Sequence, residues 1–187
     1  MSHSKLVWPD GFRTVYDRAL KSYRSGPKRA DTLFSAEEKT FLAGIGCSAQ
    51  ELFDFVEDYC NSDEPTYETV LLVTSIRRRY FRTMQQGKTT GKLASMGALP
   101  PKDAQVSGVR WLPRIIEKAR IKLRGEMPAE LMYGCGGDRP FLRSMNLELA
   151  DFLQLVWDCG DDNQKIVNAV IAARDGTPRS QDTIAAG

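Results

Sequence analysis

The sequence predicts an all-α fold: two similar helical halves, an internal duplication, packed as one compact unit. Three observations carry this. Apolar residues recur at helical spacing through most of the chain. Helix start and stop signals punctuate those stretches. Apolar positions in the second half also repeat those of the first at a fixed offset of one hundred residues.

The first half opens with GFRTVYDRALKSYRS (11–25), where Phe12, Val15, Tyr16, Ala19, Leu20 and Tyr23 share one helical face, and Gly26-Pro27 ends the helix. Ser35-Ala36-Glu37-Glu38 is a capping-box signature that starts a helix running to about Ala43, before Gly44 and Gly46. Ser48 opens a further amphipathic helix, AQELFDFVEDYC. Residues 65–82 begin with Pro at a first-turn position and read as a longer helix, with a strand the lesser alternative because of Val70, Val73, Thr74 and Ile76. Residues 83–109 contain four glycines and Pro100-Pro101 with little periodicity, which predicts a basic loop or linker.

The second half reads as helices over 112–124, 138–145, 148–158 and 162–173, followed by a polar tail expected to be disordered. At the fixed offset Phe12 aligns with Leu112, Val15 with Ile115, Tyr16 with Ile116 and Ala19 with Ala119. Phe41-Leu42 aligns with Phe141-Leu142, and Val56 with Val156. The expected organisation is an N-terminal helical repeat over 1–82, the linker over 83–109, a C-terminal repeat over 110–173 and the tail over 174–187.

Composition narrows the chemistry. Four scattered cysteines without a CxxC pair, and an N-terminus lacking an apolar leader core, point to reduced thiols in the cytoplasm. No apolar run is long enough to span a bilayer, so no membrane partner is expected. The single histidine, His3, leaves no His-based triad and no His-ligated metal site, and neither a metal nor a cofactor is expected. GKTTGKL (87–93) falls short of a phosphate-binding loop in spacing and lacks a hydroxyl after Lys92.

Net charge is +2 but unevenly spread. Residues 77–125 hold 13 basic and 2 acidic groups, net +11, between flanks of −4 and −5. That basic centre could neutralise itself in the fold or present an anion-binding surface.

The side chains that could carry chemistry concentrate in 110–145. On helix 112–124 an apolar stripe leaves Arg114 and Lys118 one turn apart on the opposite side, with Arg120 flanking the stripe. These three suit a carboxylate or phosphate, although a solvated basic face is the plainer reading. Ile121 on the polar side suggests that something covers that face. In YGCGGDR (133–139), Tyr133 and Asp138 could exchange protons, and Cys135 could act as donor or nucleophile beside Lys118 or Arg120. The plainer reading is a glycine-rich turn into a helix capped by Asp138. Asp17-Arg18 and Glu38-Lys39 stand where Glu117-Lys118 and Asp138-Arg139 stand, which fits a structural ion-pair link in each half.

WLPRIIEKARIKLRG, followed by Tyr133, Asp138-Arg139 and FLRSMNLELADFL, resembles the bacterial DUF5069 family, a domain of unknown function, chiefly over 108–173. The resemblance implies a bacterial source and one folding unit and brings no activity with it.

The expectation is a binding protein or acid–base enzyme (isomerase, lyase or hydrolase) for a small anionic metabolite. Lys118, Tyr133 and Asp138 would be catalytic; Arg114, Arg120, Arg139 and Cys135 would hold the substrate. The alternative is a helical interaction module that meets nucleic acid or an acidic protein through the basic centre, with RRRYFR (77–82) its focus. Tyr80 and Phe81 are expected in the core rather than as stacking platforms. A homodimer is compatible with either.

Overall fold

The computed structural model describes residues 8–26 and 29–176. His3 and the tail from residue 177 lie outside the described residues. The chain forms α1 (Trp8–Ser25), a one-turn α2 (Ala30–Leu33), α3 (Ala36–Gly44), α4 (Ala49–Ser62) and α5 (Tyr67–Thr83). A long connection follows, and then α6 (Leu112–Arg124), α7 (Asp138–Ser144), α8 (Leu149–Cys159) and α9 (Asn163–Arg174). The fold is all-α apart from a two-stranded hairpin, β1 (Gln105–Val106) with β2 (Val109–Arg110), antiparallel. The expected helix is present rather than a strand, since the Thr66 side chain caps α5 and α5 packs broadly against α6 and α8. Pro65 precedes the cap and does not occupy the first turn.

Local chemistry explains the boundaries. Ser35 and Ser48 each cap a helix reciprocally, with Glu38 and Glu51 reaching back to the serine N–H. Gly125, at φ +68°, ends α6 in the left-handed conformation that glycine adopts without strain. One continuous apolar core joins the two halves, from Phe12 and Tyr16 in α1 through Leu52 and Val56 in α4 to Ile115 in α6, Phe152 in α8 and Val170 in α9.

Residues 83–109 wrap α6. Ala94 N–H donates to Glu126 O at 2.9 Å, Arg114 Nη1 donates to Pro100 O at 2.7 Å, and Trp111 N–H donates to Ala104 O at 3.0 Å. This wrapping covers Ile121, which forms a small second core with Leu99 and Leu131. The cover that Ile121 suggested is therefore the chain's own loop.

Residues one hundred apart adopt the same local structure in several places. Ile45 N–H donates to Leu42 O and Cys47 N–H to Leu42 O, as Met145 and Leu147 N–H do to Leu142 O. The turn residues Gly46 and Asn146 both take positive φ, +76° and +58°. Arg18 pairs with Glu38 as Lys118 pairs with Asp138. α1 packs on α4 as α6 packs on α8, but α5 packs chiefly on α6 and α8, whereas α9 packs chiefly on α8.

Candidate functional site

The residues singled out in 110–145 separate into two places. Lys118, Asp138 and Cys135 meet where α6 faces the start of α7. Arg114 and Arg120 lie instead along the edge of α6 that faces the wrapping loop and α9.

At the first place Asp138 is fully buried and Lys118 is 2% exposed, so Lys118 does not stand on a solvated face as its spacing suggested. Asp138 accepts from Lys118 Nζ, from Trp111 Nε1 at 2.9 Å and from Gly134 N–H at 2.9 Å. Lys118 Nζ also donates to Cys135 Sγ at 3.3 Å. Burying both ions costs desolvation that only close pairing and further hydrogen bonds offset, and all three donors to the carboxylate serve that end. Asp138 is the first residue of α7 and makes no side-chain cap; its carboxylate turns inward to Lys118.

The glycine-rich turn exists for packing. Gly134 has φ +88°, and a Cβ there would lie 2.9 Å from Leu149 Cδ1. A Cβ on Gly137 would lie 3.0 Å from the Trp111 ring that delivers Nε1 to Asp138. Tyr133 is buried, and its hydroxyl donates to Leu149 O at 2.7 Å. Burial, aided by the neighbouring Asp138 and Asp151 charges, pushes its phenol well above the usual range. Arg139 is 7% exposed and reaches across the two halves to Asp58 at 2.6 Å and Glu64 at 3.2 Å, and it also donates to Gly134 O. The Lys118, Asp138 and Tyr133 polar groups are therefore bonded inside the protein, whereas Cys135 remains partly exposed.

At the second place Arg120 Nη2 donates to Gly160 O at 2.9 Å and Asn163 Oδ1 at 2.7 Å. Its Nη1 has Glu117 at 3.9 Å, beyond hydrogen-bond length, and its buried Nε has no partner. Two concavities meet at this guanidinium. The larger, about 230 Å³, is a groove between the loop and helices α6 and α9, lined by Pro100, Val106, Ile116 and Val167 with Glu117 and Asn163 beside Arg120. The smaller, about 80 Å³, includes Tyr80, Trp157 and Asp161. Arg114 holds one wall of the groove through Pro100. A further cavity of about 180 Å³ runs along Arg139 and Arg143, but Glu64 pairs with both of those cations.

A third cluster was not anticipated from the sequence. Lys122 Nζ pairs with Glu51 at 2.7 Å, both nearly buried, across the junction of the halves. Asp54 stands one turn further along α4, and burial pushes its carboxyl up to about 6. The signal was present: Lys122 falls in phase with Ile115 and Ala119 on the buried face, where a lysine requires an acid. Among the described residues no group of three or more Cys, Asp, Glu or His side chains is arranged to hold a metal ion.

A protein-family model described as "Domain of unknown function (DUF5069)" matches residues 100–186. No curated protein and no solved structure matches the chain.

Proposed function

From residues 100–186, which belong to the DUF5069 family, we propose that this protein binds a small anionic metabolite with a compact apolar body in the groove at Arg120. The observation that carries the reading is one guanidinium whose Nη1 makes no hydrogen bond and has Glu117 at 3.9 Å, lining a largely apolar cavity of about 230 Å³. Such a cavity suits a molecule of a few carbons, and an arginine suits a carboxylate or phosphate group. Asn163 adds an amide, and Arg114 fixes the wall by holding Pro100.

An acid–base reaction at Lys118, Tyr133 and Asp138 has less support, because these groups are enclosed and already bonded to one another or to the backbone. In this reading their task is to hold α6, the glycine turn and α8 in register beneath the groove. A reducing, cytoplasmic setting belongs to the same proposal and is supported by four free cysteines. No helix among the described residues is long and apolar enough to cross a membrane. Internal duplication is also part of the reading, supported by the paired turns at Gly46 and Asn146 and the paired ion bridges of Arg18 and Lys118.

The test is a thermal-shift screen of small carboxylates, phosphates and sugar acids on the wild type, Arg120→Gln and Val106→Trp, the latter at a partly exposed position of the groove. A ligand that binds the native state raises the melting temperature by mass action. The expected hit is lost in both variants, one removing the cation and the other filling the groove. A hit retained in both would overturn the assignment of the site.

A further inference from the structure

The ion pairs divide the basic centre into two unlike parts. All four cations from Lys118 to Arg124 have a carboxylate partner: Asp138, Glu117, Glu51 and Glu126. None of the nine Lys and Arg side chains from Arg77 to Arg114 forms an ion pair with a described carboxylate. No acidic residue occurs between Glu68 and Asp103. Arg77 is buried against Gln85 and Phe81, but Arg79, Arg82, Lys88, Lys92 and Lys102 are exposed. Elsewhere among the described residues the cations without an ion pair are few and scattered: Lys21, Arg24 and Lys39.

Apolar exposure coincides with this stretch. Of the large hydrophobic side chains exposed on the described structure, Met84, Leu93 and Met96 all lie within it, at 61%, 72% and 41% exposure. The backbone that carries them is fixed. Gly87 N–H donates to Phe81 O at 2.8 Å, Lys88 N–H to Gln85 O at 2.9 Å, and Ala94 N–H to Glu126 O at 2.9 Å. Beside the reversal at Gly87 a shallow concavity of about 470 Å³ is lined by Phe81, Arg82, Gln86 and Ala43.

We propose that the surface of the segment from Arg79 to Lys102, which carries no acidic residue of its own and has Glu126 beside it at Thr90 and Lys92, docks an acidic, amphipathic segment of a partner protein. Its carboxylates meet Arg82, Lys88 and Lys92, and its apolar side chains meet Met84, Leu93 and the concavity at Phe81. Charge complementarity identifies an anionic partner. The exposed Met and Leu identify a protein rather than RNA, because methionine-rich surfaces adapt to apolar side chains whereas single-stranded bases require exposed aromatic faces. The aromatic rings here are turned inward, with Phe81 4% exposed and Tyr80 set edge-on to Trp157. A concave floor also suits an inserted side chain better than the face of a bilayer.

The experiment is fluorescence anisotropy with the full chain and a labelled synthetic peptide of about 15 residues, rich in Glu and Asp, with leucines at helical spacing. Arg82→Glu with Lys88→Glu weakens binding about tenfold or more, as does Met84→Ser with Leu93→Ser. Replacing the peptide's leucines by serine has a similar effect. Arg120→Gln leaves the affinity unchanged, which separates this surface from the groove. Absence of peptide binding overturns the proposal. So does equal binding of the serine peptide, or tighter binding of oligouridine or of vesicles containing anionic lipid.

Discussion

Replacing Lys118 by methionine tests the weight of the buried pair, because the structure supplies its own control one hundred residues earlier. The Lys118 and Asp138 side chains are 3% and 0% exposed, whereas those of Arg18 and Glu38 are 38% and 15% exposed. Removing one partner of a buried pair leaves an uncompensated ion and costs about 3–5 kcal/mol. Trp111 Nε1 and Gly134 N–H still serve the Asp138 carboxylate, which places Lys118→Met near the lower end, about 3 kcal/mol. The equivalent Arg18→Met leaves Glu38 in reach of water and of the Ser35 N–H, and costs about 1 kcal/mol. Lys118→Met combined with Asp138→Asn recovers part of the loss, since no charge then remains buried. The assay is urea unfolding followed by helical circular dichroism, with the midpoints compared at a common slope. Equal losses in the two single variants would refute the reasoning, and so would a double variant weaker than Lys118→Met.

Two further variants test the surroundings. Burial, opposed by Gln50 and Lys122, raises the Asp54 carboxyl to about 6, so the folded state holds that proton more tightly than the unfolded one. Stability therefore falls as pH rises from about 4 to about 6 and is level for this group above that. Asp54→Asn removes the penalty, and because Asp54 is partly solvated the gain is about 1 kcal/mol at pH about 8. It is absent at pH about 4, a contrast read from urea midpoints at the two pH values. At Gly134, with φ +88°, alanine meets Leu149 Cδ1 at 2.9 Å as well as backbone strain. Gly134→Ala should cost about 1–3 kcal/mol in thermal unfolding; a neutral result would mean that the turn relaxes freely.

The helices were legible where local chemistry decides them. Helix 112–124 has the bounds that its apolar stripe and Gly125 dictate, and Ser35 and Ser48 open α3 and α4 through capping boxes. What stayed hidden was short or long-range. α2 spans four residues and the hairpin strands two each, too few to show a period. The site was half legible. The matched charge pairs, Asp17-Arg18 with Glu117-Lys118 and Glu38-Lys39 with Asp138-Arg139, point to an ion-pair link between helices. They do not point to Asp138 as the partner of Lys118, nor to the burial of that pair, because a lysine off the main stripe reads as solvated. Trp111 gives no sequence sign that its indole N–H serves a carboxylate 27 positions away. The wrapping of α6 by 94–110 rests on bonds to the carbonyls of Glu126, Pro100 and Ala104, two donated by backbone N–H groups and one by Arg114, which no sequence pattern announces.

The polar contacts between the halves share one logic. Lys122 reaches Glu51, Arg139 reaches Asp58 and Glu64, and Arg143 reaches Glu64, so these three cations of the second half meet acids of the first; the Gln85 amide adds a bond to Arg124 O at 2.9 Å. Apolar faces alone would let packed helices slide past one another, since burial is non-directional. A buried ion that must find its partner penalises every other register by the cost of an unpaired charge. Of the cations of α6, Lys122 pairs with Glu51 across the junction, whereas Lys118, Arg120 and Arg124 pair with Asp138, Glu117 and Glu126 of the second half. From Arg79 to Lys102 the chain carries no acidic residue, and its Lys and Arg side chains form no ion pair with a described carboxylate. The unpaired positive charge of the centre therefore resides on the exposed side chains of the α5 end and the wrapping loop.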